Sequence, residues 1–284
     1  MLRRLARPAA AIGTLGGAAL IDRALTPPLR PLTSAAASAT SVGSVHLFQY
    51  EICPFCNKVK ALLDLHNVPY ETTEVNPLTK GEIKSWSSGY RKVPIALIEG
   101  EQVNDSAVIA SAVLDRMSSA AVLQPKEMAE FRSAAALEWA AWSDEKLAVL
   151  LFPNITRSFA ESYQAFSYVQ DVPHFSALDK LSNQLVGSFA MWMAQGKIKK
   201  KYAIEDERAA VVGAINHWVD EGVGSSSFAG GARPNLADVA VFGCLKAIDR
   251  TDAFAEIMHE TTVAPWYGRM SEAVGPGSAR TGRQ

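Results

Sequence analysis

Two cysteines separated by two residues, Cys53 and Cys56, are the first residues whose type and spacing suggest chemistry. A pair at this spacing shuttles disulfides, holds a metal, or presents one activated sulfur to a small substrate. The run VHLFQY at 45–50 predicts a strand before the pair, and apolar residues at helical spacing predict a helix at 54–67. A sulfur at a helix N-terminus is stabilised as a thiolate. We therefore expect Cys53, with a lowered pKa, to attack and Cys56, one turn further, to resolve.

The other potential ligands limit this chemistry. A zinc site at Cys53 and Cys56 would need two more ligands, and the five histidines of the chain include no second pair at finger spacing, so we predict no metal. Both cysteines could instead be small buried hydrophobic residues. Cys244 lies in the apolar helical run AVFGCLKAI and is expected in the core. Three cysteines are too few for a secreted disulfide framework and fit a reducing compartment.

Tyr50 ends the first strand three residues before Cys53. Its hydroxyl could donate a hydrogen bond to a thiolate or to a substrate oxygen. An equally good interpretation is an aromatic ring that packs at the strand end, because tyrosine often combines packing with a polar tip.

A second group of candidates follows the third predicted strand. Val93-Pro94 opens that strand; its peptide bond could be cis, and the backbone of Val93 would then be free to pair with an extended peptide. Asp105 and Ser106 stand at a predicted helix N-terminus, a natural place for a carboxylate, although both could simply be helix caps. With Cys53, these residues would hold a short peptide that has a thiol and a free carboxylate. Glutathione has that shape.

The predicted elements divide the chain. A β-α-β-α-β-β-α order within 43–118 is thioredoxin-like, and 124–275 shows only helical patterns, so we predict an α/β thioredoxin-like domain followed by an all-α domain. Asn235 and Asp238 form a possible capping pair for one of the later helices. The tail at 276–284 is expected to be flexible. The helices of the second domain are predicted at 126–151, 173–196, 204–219, 236–248 and 265–274.

The first 42 residues read as a separate leader. Residues 1–40 hold five arginines and one acidic residue, a composition typical of an organelle transit peptide, with the mitochondrion as first choice and a plastid as second. The apolar run at 9–21 has 13 residues, which is short for a bilayer span but could make a weak membrane anchor. A signal peptide or a tail with no targeting role are the other interpretations. The net charge of −1 favours neither nucleic acid nor an anionic membrane as partner.

Longer stretches resemble a known family. YEICPFCNKVKALLDLHNVPYETTEVNP and SGYRKVPIALIEGEQVNDSAVI, followed by LFPNITRS, GGARPNLADVAVFG and APWY, are similar to the prostaglandin E synthase 2 family, the membrane-associated type. The resemblance covers residues 45–272. It implies a glutathione transferase fold, in which a glutaredoxin-like N-terminal domain packs on an all-helical C-terminal domain.

The resemblance also implies an activity. Members isomerise the endoperoxide of prostaglandin H2 to the hydroxyketone of prostaglandin E2, bind glutathione, are reported to bind haem, form dimers and associate with membranes through an N-terminal segment. By position, the reactive cysteine matches Cys53, and a thiolate there could attack or polarise the peroxide. The further implied site residues are Cys56, the catalytic tyrosine Tyr50, and the glutathione contacts Val93, Asp105 and Ser106, with Pro94 beside them.

Two other functions stay open. The intact CPFC pair suits a glutathione-dependent thiol transferase or peroxide reductase, because two sulfurs suit disulfide exchange better than isomerisation does. A haem- or glutathione-binding protein without turnover is the third hypothesis, although KIKKKYAIEDER has no histidine for a haem contact. A substrate pocket lined by Phe55, Trp139, Trp142 and Phe152 is less expected than core packing of these residues.

Overall fold

The computed structural model describes residues 42–277 and the backbone of 279–281. The leader predicted at 1–42 therefore lies outside the described residues, apart from Val42. Within the described ranges, no helix is long and apolar enough to cross a membrane.

The N-terminal half is built on a mixed sheet with the order β4-β3-β1-β2-β5. β1 pairs parallel with β2 and antiparallel with β3, which pairs antiparallel with β4. Helices alternate with these strands in the predicted order, so the thioredoxin-like layout is confirmed. The elements are β1 (Val45–Gln49), α1 (Pro54–Leu65), β2 (Tyr70–Glu74), α2 (Gly81–Lys84), β3 (Ile95–Ile98), β4 (Glu101–Asn104) and α3 (Ser106–Ser119).

The C-terminal half is helical up to residue 274, as predicted. Three of its helices are extended by a π-helical segment, and one by a 3-10 turn. The elements are α4 (Pro125–Phe131), α5 (Ala134–Trp142) with π segment Ser143–Leu147, α6 (Ala148–Asn154), α7 (Phe159–Ala165) with 3-10 turn Phe166–Asp171, α8 (Ala177–Ser182) with π segment Asn183–Gly187, α9 (Ser188–Lys201), α10 (Glu207–His217) with π segment Trp218–Val223, α11 (Leu236–Lys246), α12 (Asp252–Glu260) and α13 (Ala264–Val274).

Some helix boundaries were predicted wrongly. The single helix expected at 126–151 is interrupted before α5, where the Ser133 side chain accepts a hydrogen bond from the N–H of Ala136 at 3.3 Å and so caps a new helix. α7 was missed, although Ser158 and Glu161 form a capping box there. The periodicity of apolar residues can continue across such a cap, because the helices before and after it can bury the same face. It therefore does not show where one helix ends and the next begins.

The tail is also more structured than expected. Residues 279–281 form β5, which pairs parallel with β2. The backbone groups along the outer edge of β2 find partners there, which explains why this part of the predicted flexible tail joins the sheet.

Both halves share one hydrophobic core, and the helix that carries the cysteine pair packs against the helical half. Gly243 on α11 makes this close approach possible, because a Cβ atom there would lie 2.5 Å from the Cα atom of Lys58 on α1. The predicted capping pair is confirmed: Asn235 caps α11, and the buried Asp238 carboxylate accepts from the N–H of Asn235 at 3.0 Å and from Nε1 of Trp266 at 2.9 Å. α11 is thereby fixed as the support of α1.

Candidate active site at the cysteine turn

Cys53 is the N-cap residue of α1, and Pro54 opens the helix. The Cys53 N–H donates to the carbonyl oxygen of Tyr50 at 3.0 Å, which makes a tight turn between strand and helix. The buried Asn57 side chain fixes this turn by donating to the carbonyl oxygens of Glu51 at 2.7 Å and Cys53 at 3.0 Å. Sequence reasoning did not single out Asn57.

The two thiols differ in their surroundings. A hydrogen bond from the Cys56 thiol is the main cause that lowers the pKa of Cys53, and the backbone N–H groups of Cys56 and Phe55 add to it. Burial and the neighbouring Cys53 sulfur raise the pKa of Cys56, which is fully buried. Both thiols are free, and Cys53 is partly exposed. The turn therefore makes Cys53 the more readily ionised thiol, with the Cys56 thiol behind it.

Tyr50 is half-buried and packs on an apolar cluster, as the packing interpretation predicts. Its hydroxyl is also hydrogen-bonded, and its role as a donor to a thiolate or a substrate oxygen stays a prediction. The Lys80 ammonium group donates to the Tyr50 hydroxyl oxygen at 2.7 Å and to the carbonyl oxygen of Arg91 at 2.9 Å. Burial, and then the sulfurs of Cys53 and Cys56, raise the pKa of Tyr50, so its phenol stays protonated. Its proton remains available for a ligand. Nothing in the local sequence pointed to Lys80.

The predicted glutathione-binding residues lie at the same edge of the sheet as the cysteine turn. Phe48 of β1 is opposite Ile95 of β3, and Ile95 is opposite Asn104 of β4. Because both pairings are antiparallel, the C-terminal end of β1, the N-terminal end of β3 and the C-terminal end of β4 lie side by side at the same end of the sheet. The segments that follow or precede these ends are Tyr50–Cys53, Val93-Pro94 and Asp105-Ser106.

These residues have the local geometry expected for a peptide-binding edge. The Val93-Pro94 peptide bond is cis, and Val93 precedes the first paired residue of β3. Asp105 caps α3 by accepting a hydrogen bond from the N–H of Ala107 at 2.9 Å, with φ of 78°. Ser106 is buried at the first turn of that helix. The capping role is observed, and it leaves the helix N-terminus directed at this edge.

A partly buried carboxylate network lies on the opposite side of β1. The Gln49 amide donates to Glu51 at 3.0 Å and to Glu74 at 3.2 Å, while the N–H of Glu51 donates to Glu74 at 2.8 Å. Burial raises the pKa of Glu74 to about 8. Burial would also raise the pKa of Glu51, but the Lys60 ammonium at 2.8 Å, together with the Gln49 amide and Lys246, outweighs burial and lowers that pKa. Sequence reasoning missed this pair, because β2 and the cysteine turn meet only in the folded chain.

Tyr168, another residue that the sequence did not reveal, approaches the turn from the helical half. It lies in the 3-10 turn after α7 and is 5% exposed. Its apolar neighbours pack against Ile52, the residue before Cys53. Tyr168 lines a cavity of about 410 Å³ together with Glu51, Glu74 and other residues.

The aromatic residues suggested for a pocket have mostly core roles. Trp139 contacts Trp142 edge-on, with ring centroids 5.0 Å apart, and Trp218 at 5.2 Å. Phe55 also packs against the main core. Cys244 is fully buried, as expected, and burial raises its pKa to about 12.

Comparison with known proteins agrees with this geometry. Residues 47–120 match the family model "Glutathione S-transferase, N-terminal domain". The chain is 34% identical to prostaglandin E synthase 2 of Mus musculus over an alignment of 269 positions, which covers 80% of this chain and 70% of the mouse protein. It is 35% identical to prostaglandin E synthase 2 of Danio rerio over an alignment of 266 positions, which again covers 80% of this chain and 70% of the relative.

Solved structures show the same fold at low identity. Beta-etherase LigF from Sphingobium sp. strain SYK-6 superposes with a TM-score of 0.54 at 16% identity, over 80% of this chain and 94% of that one. Glutathione S-transferase III in its apo form gives a TM-score of 0.50 at 15% identity, over 81% and 92%. With the relatives from mouse and zebrafish, these likenesses confirm the resemblance: the chain belongs to the prostaglandin E synthase 2 family and has a glutathione transferase fold.

Proposed function

We propose that this protein is an isomerase that converts prostaglandin H2 to prostaglandin E2 with Cys53 as nucleophile. The observation that carries the proposal is the pairing of a thiol of lowered pKa at a helix N-terminus with a neutral phenol, Tyr50, at the same turn. The names of the mouse and zebrafish relatives support the substrate.

The geometry suits cleavage of a peroxide bond. The Cys53 thiolate attacks one endoperoxide oxygen, so that an S–O bond forms while the O–O bond breaks. The other oxygen takes the Tyr50 proton and becomes the hydroxyl. The ring carbon that carries the sulfur-bound oxygen then gives its proton to the Tyr50 phenolate, its C=O bond forms, and the S–O bond breaks to return the thiolate. No electron enters or leaves, as an isomerisation requires.

Glutathione is the cofactor that the edge beside the turn fits. Its backbone would pair with Val93, and a carboxylate would lie at the N-terminus of α3 near Asp105 and Ser106. The matched transferase domain supports this assignment. Calorimetric titration of glutathione into the wild type and the Ser106→Tyr variant tests it, because the larger side chain would block the helix N-terminus.

A glutathione-dependent thiol transferase or peroxide reductase is the second candidate, and the Cys56 thiol favours it. In that reaction Cys53 attacks a disulfide or a peroxide, Cys56 resolves the product into a Cys53–Cys56 disulfide, and two glutathione molecules reduce it to give oxidised glutathione. The two functions differ in their need for Cys56.

Product analysis with prostaglandin H2, with and without glutathione, separates the candidates. Wild type, Cys53→Ser and Cys56→Ser are compared, with a mixed-disulfide exchange assay on the same samples. Prostaglandin E2 above the spontaneous background, lost in Cys53→Ser and little changed in Cys56→Ser, is the expected result. Isomerisation that survives Cys53→Ser would contradict the mechanism, and exchange that needs both cysteines, without isomerisation, would establish the second candidate.

The remaining assignments are proposals with their own tests. We infer that the leader at 1–42 directs the protein to the mitochondrion, rather than to a plastid, and attaches it to a membrane; localisation of a fluorescent fusion and carbonate extraction test this. We also propose a homodimer.

For haem, the described residues hold no metal-binding cluster of three or more His, Cys, Asp or Glu side chains, and the Cys53 thiolate is the ligand that the site offers. A Soret band lost in Cys53→Ser would show it.

A further inference from the structure

We propose that Tyr168 is a second catalytic hydroxyl, contributed by the helical half, which donates a hydrogen bond to the substrate oxygen that becomes negatively charged as the O–O bond breaks. This inference rests on the proposed peroxide chemistry of Cys53. It adds to the site a residue more than 100 positions away from the cysteine turn in the sequence.

The position of the ring is fixed by packing. Tyr168 belongs to a buried cluster with Phe166, Val169 and other apolar residues, and Ile52 of the cysteine turn packs on the same cluster. A ring held in this way loses little further freedom when its hydroxyl binds a ligand, which is the property that a preorganised donor needs.

Among the described residues, no side chain or backbone group makes a hydrogen bond with the Tyr168 hydroxyl. Its oxygen is not among the fully buried polar atoms that lack a partner, so it remains accessible. Tyr168 faces the cavity of about 410 Å³ beside Glu51 and Glu74, so a bound molecule can reach its hydroxyl. A phenol that is open to a cavity and lacks a protein partner can donate its hydrogen bond to an oxygen of a bound ligand.

The packing of Ile52 on the Tyr168 cluster places this ring beside the cysteine turn, and the pKa of its phenol is consistent with that position. Burial, and then the nearby charged forms of Glu74, Tyr50, Cys53 and Cys56, raise the pKa of Tyr168. The phenol is therefore protonated at every pH at which the enzyme would work, and it can only donate to an anionic oxygen.

The two sides of β1 would then bind different groups, glutathione on one side and the peroxide oxygen on the other. Val93 and Asp105 lie on the β3–β4 flank, whereas Glu74 ends β2 on the other flank. Glutathione would occupy the first flank, and the oxygen that leaves the peroxide would lie toward Tyr168 on the second. In the attack step, the S–O bond forms at Cys53, the O–O bond breaks, and the leaving oxygen carries the charge while Tyr168 stabilises it. Tyr168 keeps its proton, since Tyr50 supplies the one that is transferred.

Tyr168→Phe removes only the hydroxyl and keeps the packed ring. Loss of one donor to a developing oxyanion lowers kcat by about 100- to 1000-fold, with KM little changed. The matched control is Tyr163→Phe, whose ring is 39% exposed on α7. Steady-state conversion of prostaglandin H2 by the full chain, the thermal midpoint and the affinity for glutathione are measured for all three proteins. Only kcat of Tyr168→Phe should change.

In an alternative role, the Tyr168 hydroxyl would donate its hydrogen bond to the Cys53 sulfur instead of to the substrate. The pH profile of Cys53 alkylation by iodoacetamide distinguishes the two roles. Tyr168→Phe should leave this profile unchanged, whereas a shift to higher pH would mean that the hydroxyl stabilises the thiolate and would overturn the inference. An unchanged kcat would overturn it as well.

A second substrate separates failure of the proposed function from failure of this inference. If wild type does not convert prostaglandin H2, the isomerase proposal fails, and the same variants are tested with cumene hydroperoxide and glutathione, whose cleavage at Cys53 also leaves an alkoxide. A loss of about 100-fold or more in Tyr168→Phe supports the role of Tyr168. Equal rates for the two proteins, or no cleavage by wild type, would refute it.

Discussion

The carboxyl group of Glu74 shows how strongly the fold changes a single residue near the cysteine turn. Burial raises its pKa from the usual 4.5 to about 8. The folded chain therefore holds this proton more tightly than the unfolded chain does. Its contribution to stability is fully present below pH 4.5 and is lost as the pH rises from there through about 8.

Glu74→Gln tests this dependence on pH. The amide side chain of the variant cannot ionise, so the variant does not lose this contribution as the pH rises. The free energy of unfolding of the variant minus that of wild type should therefore increase between pH 5 and 8, by at most about 1.4 kcal/mol per pH unit. Urea titrations at several pH values measure this. The control is Glu71→Gln at an exposed position on the same strand, outside the Gln49–Glu51–Glu74 network. Parallel curves for wild type and Glu74→Gln across this range would contradict the shifted pKa.

Lys80 is predicted to act through Tyr50. Its ammonium group orients the phenol at 2.7 Å, and losing one such hydrogen bond costs about 1 kcal/mol, so Lys80→Met should lower kcat by about five- to tenfold. In a Tyr50→Phe background the same substitution should have no further effect, because the oriented hydroxyl is gone. Lys84→Met, on the exposed side of α2, serves as control. Additive losses in the double variant would show that Lys80 acts independently.

At the scale of elements, the packing of α11 on α1 determines where the cysteine turn lies. In Gly243→Ala the new methyl group would lie 2.5 Å from backbone atoms of Lys58, so the two helices must separate. We expect a loss of about 1–3 kcal/mol in stability and a slower alkylation of Cys53. Urea unfolding measures the first effect and iodoacetamide kinetics the second.

Gly213 provides the matched control. It lies within α10 with open space around it, so Gly213→Ala should stabilise the protein by up to about 1 kcal/mol through helix propensity. If both alanine variants were equally stable, close packing between α1 and α11 would not be the reason for glycine at 243.

The elements could be predicted where local signals define them. The strand, CxxC turn and helix at 45–65, and the Asn235 cap of α11, follow from short-range patterns and are found where expected. Tyr168 and the Glu51–Glu74 pair could not be found in this way, since they reach the site through contacts between segments far apart in sequence. The cap at Ser133 is a local signal, but continuous apolar periodicity concealed it.

At the scale of the whole molecule, an apolar stripe remains uncovered. It follows the continuous run α8–π–α9 at spacings of three and four residues, so its side chains share one helix face. Leu178 is 74% exposed, Phe189 53% and Met193 59%; Leu181 and Leu185 belong to the same stripe. Contiguous exposed apolar patches on soluble proteins usually mark an interaction surface.

A second copy of the chain is the partner that we propose for this stripe. Two stripes can pack antiparallel about a twofold axis, because one face then complements itself. A charge at its centre would be buried in the dimer, so Phe189→Glu should shift the protein from dimer to monomer in light scattering coupled to size exclusion, with the fold intact by circular dichroism. Leu137→Glu places the same charge on another exposed apolar position, on α5 outside the stripe, and should leave the dimer unchanged. If only Leu137→Glu dissociated the dimer, the interface would lie on α5 instead. If wild type were a monomer, the stripe would be assigned to contact with a membrane surface, with the lysines at the end of α9 facing anionic lipid.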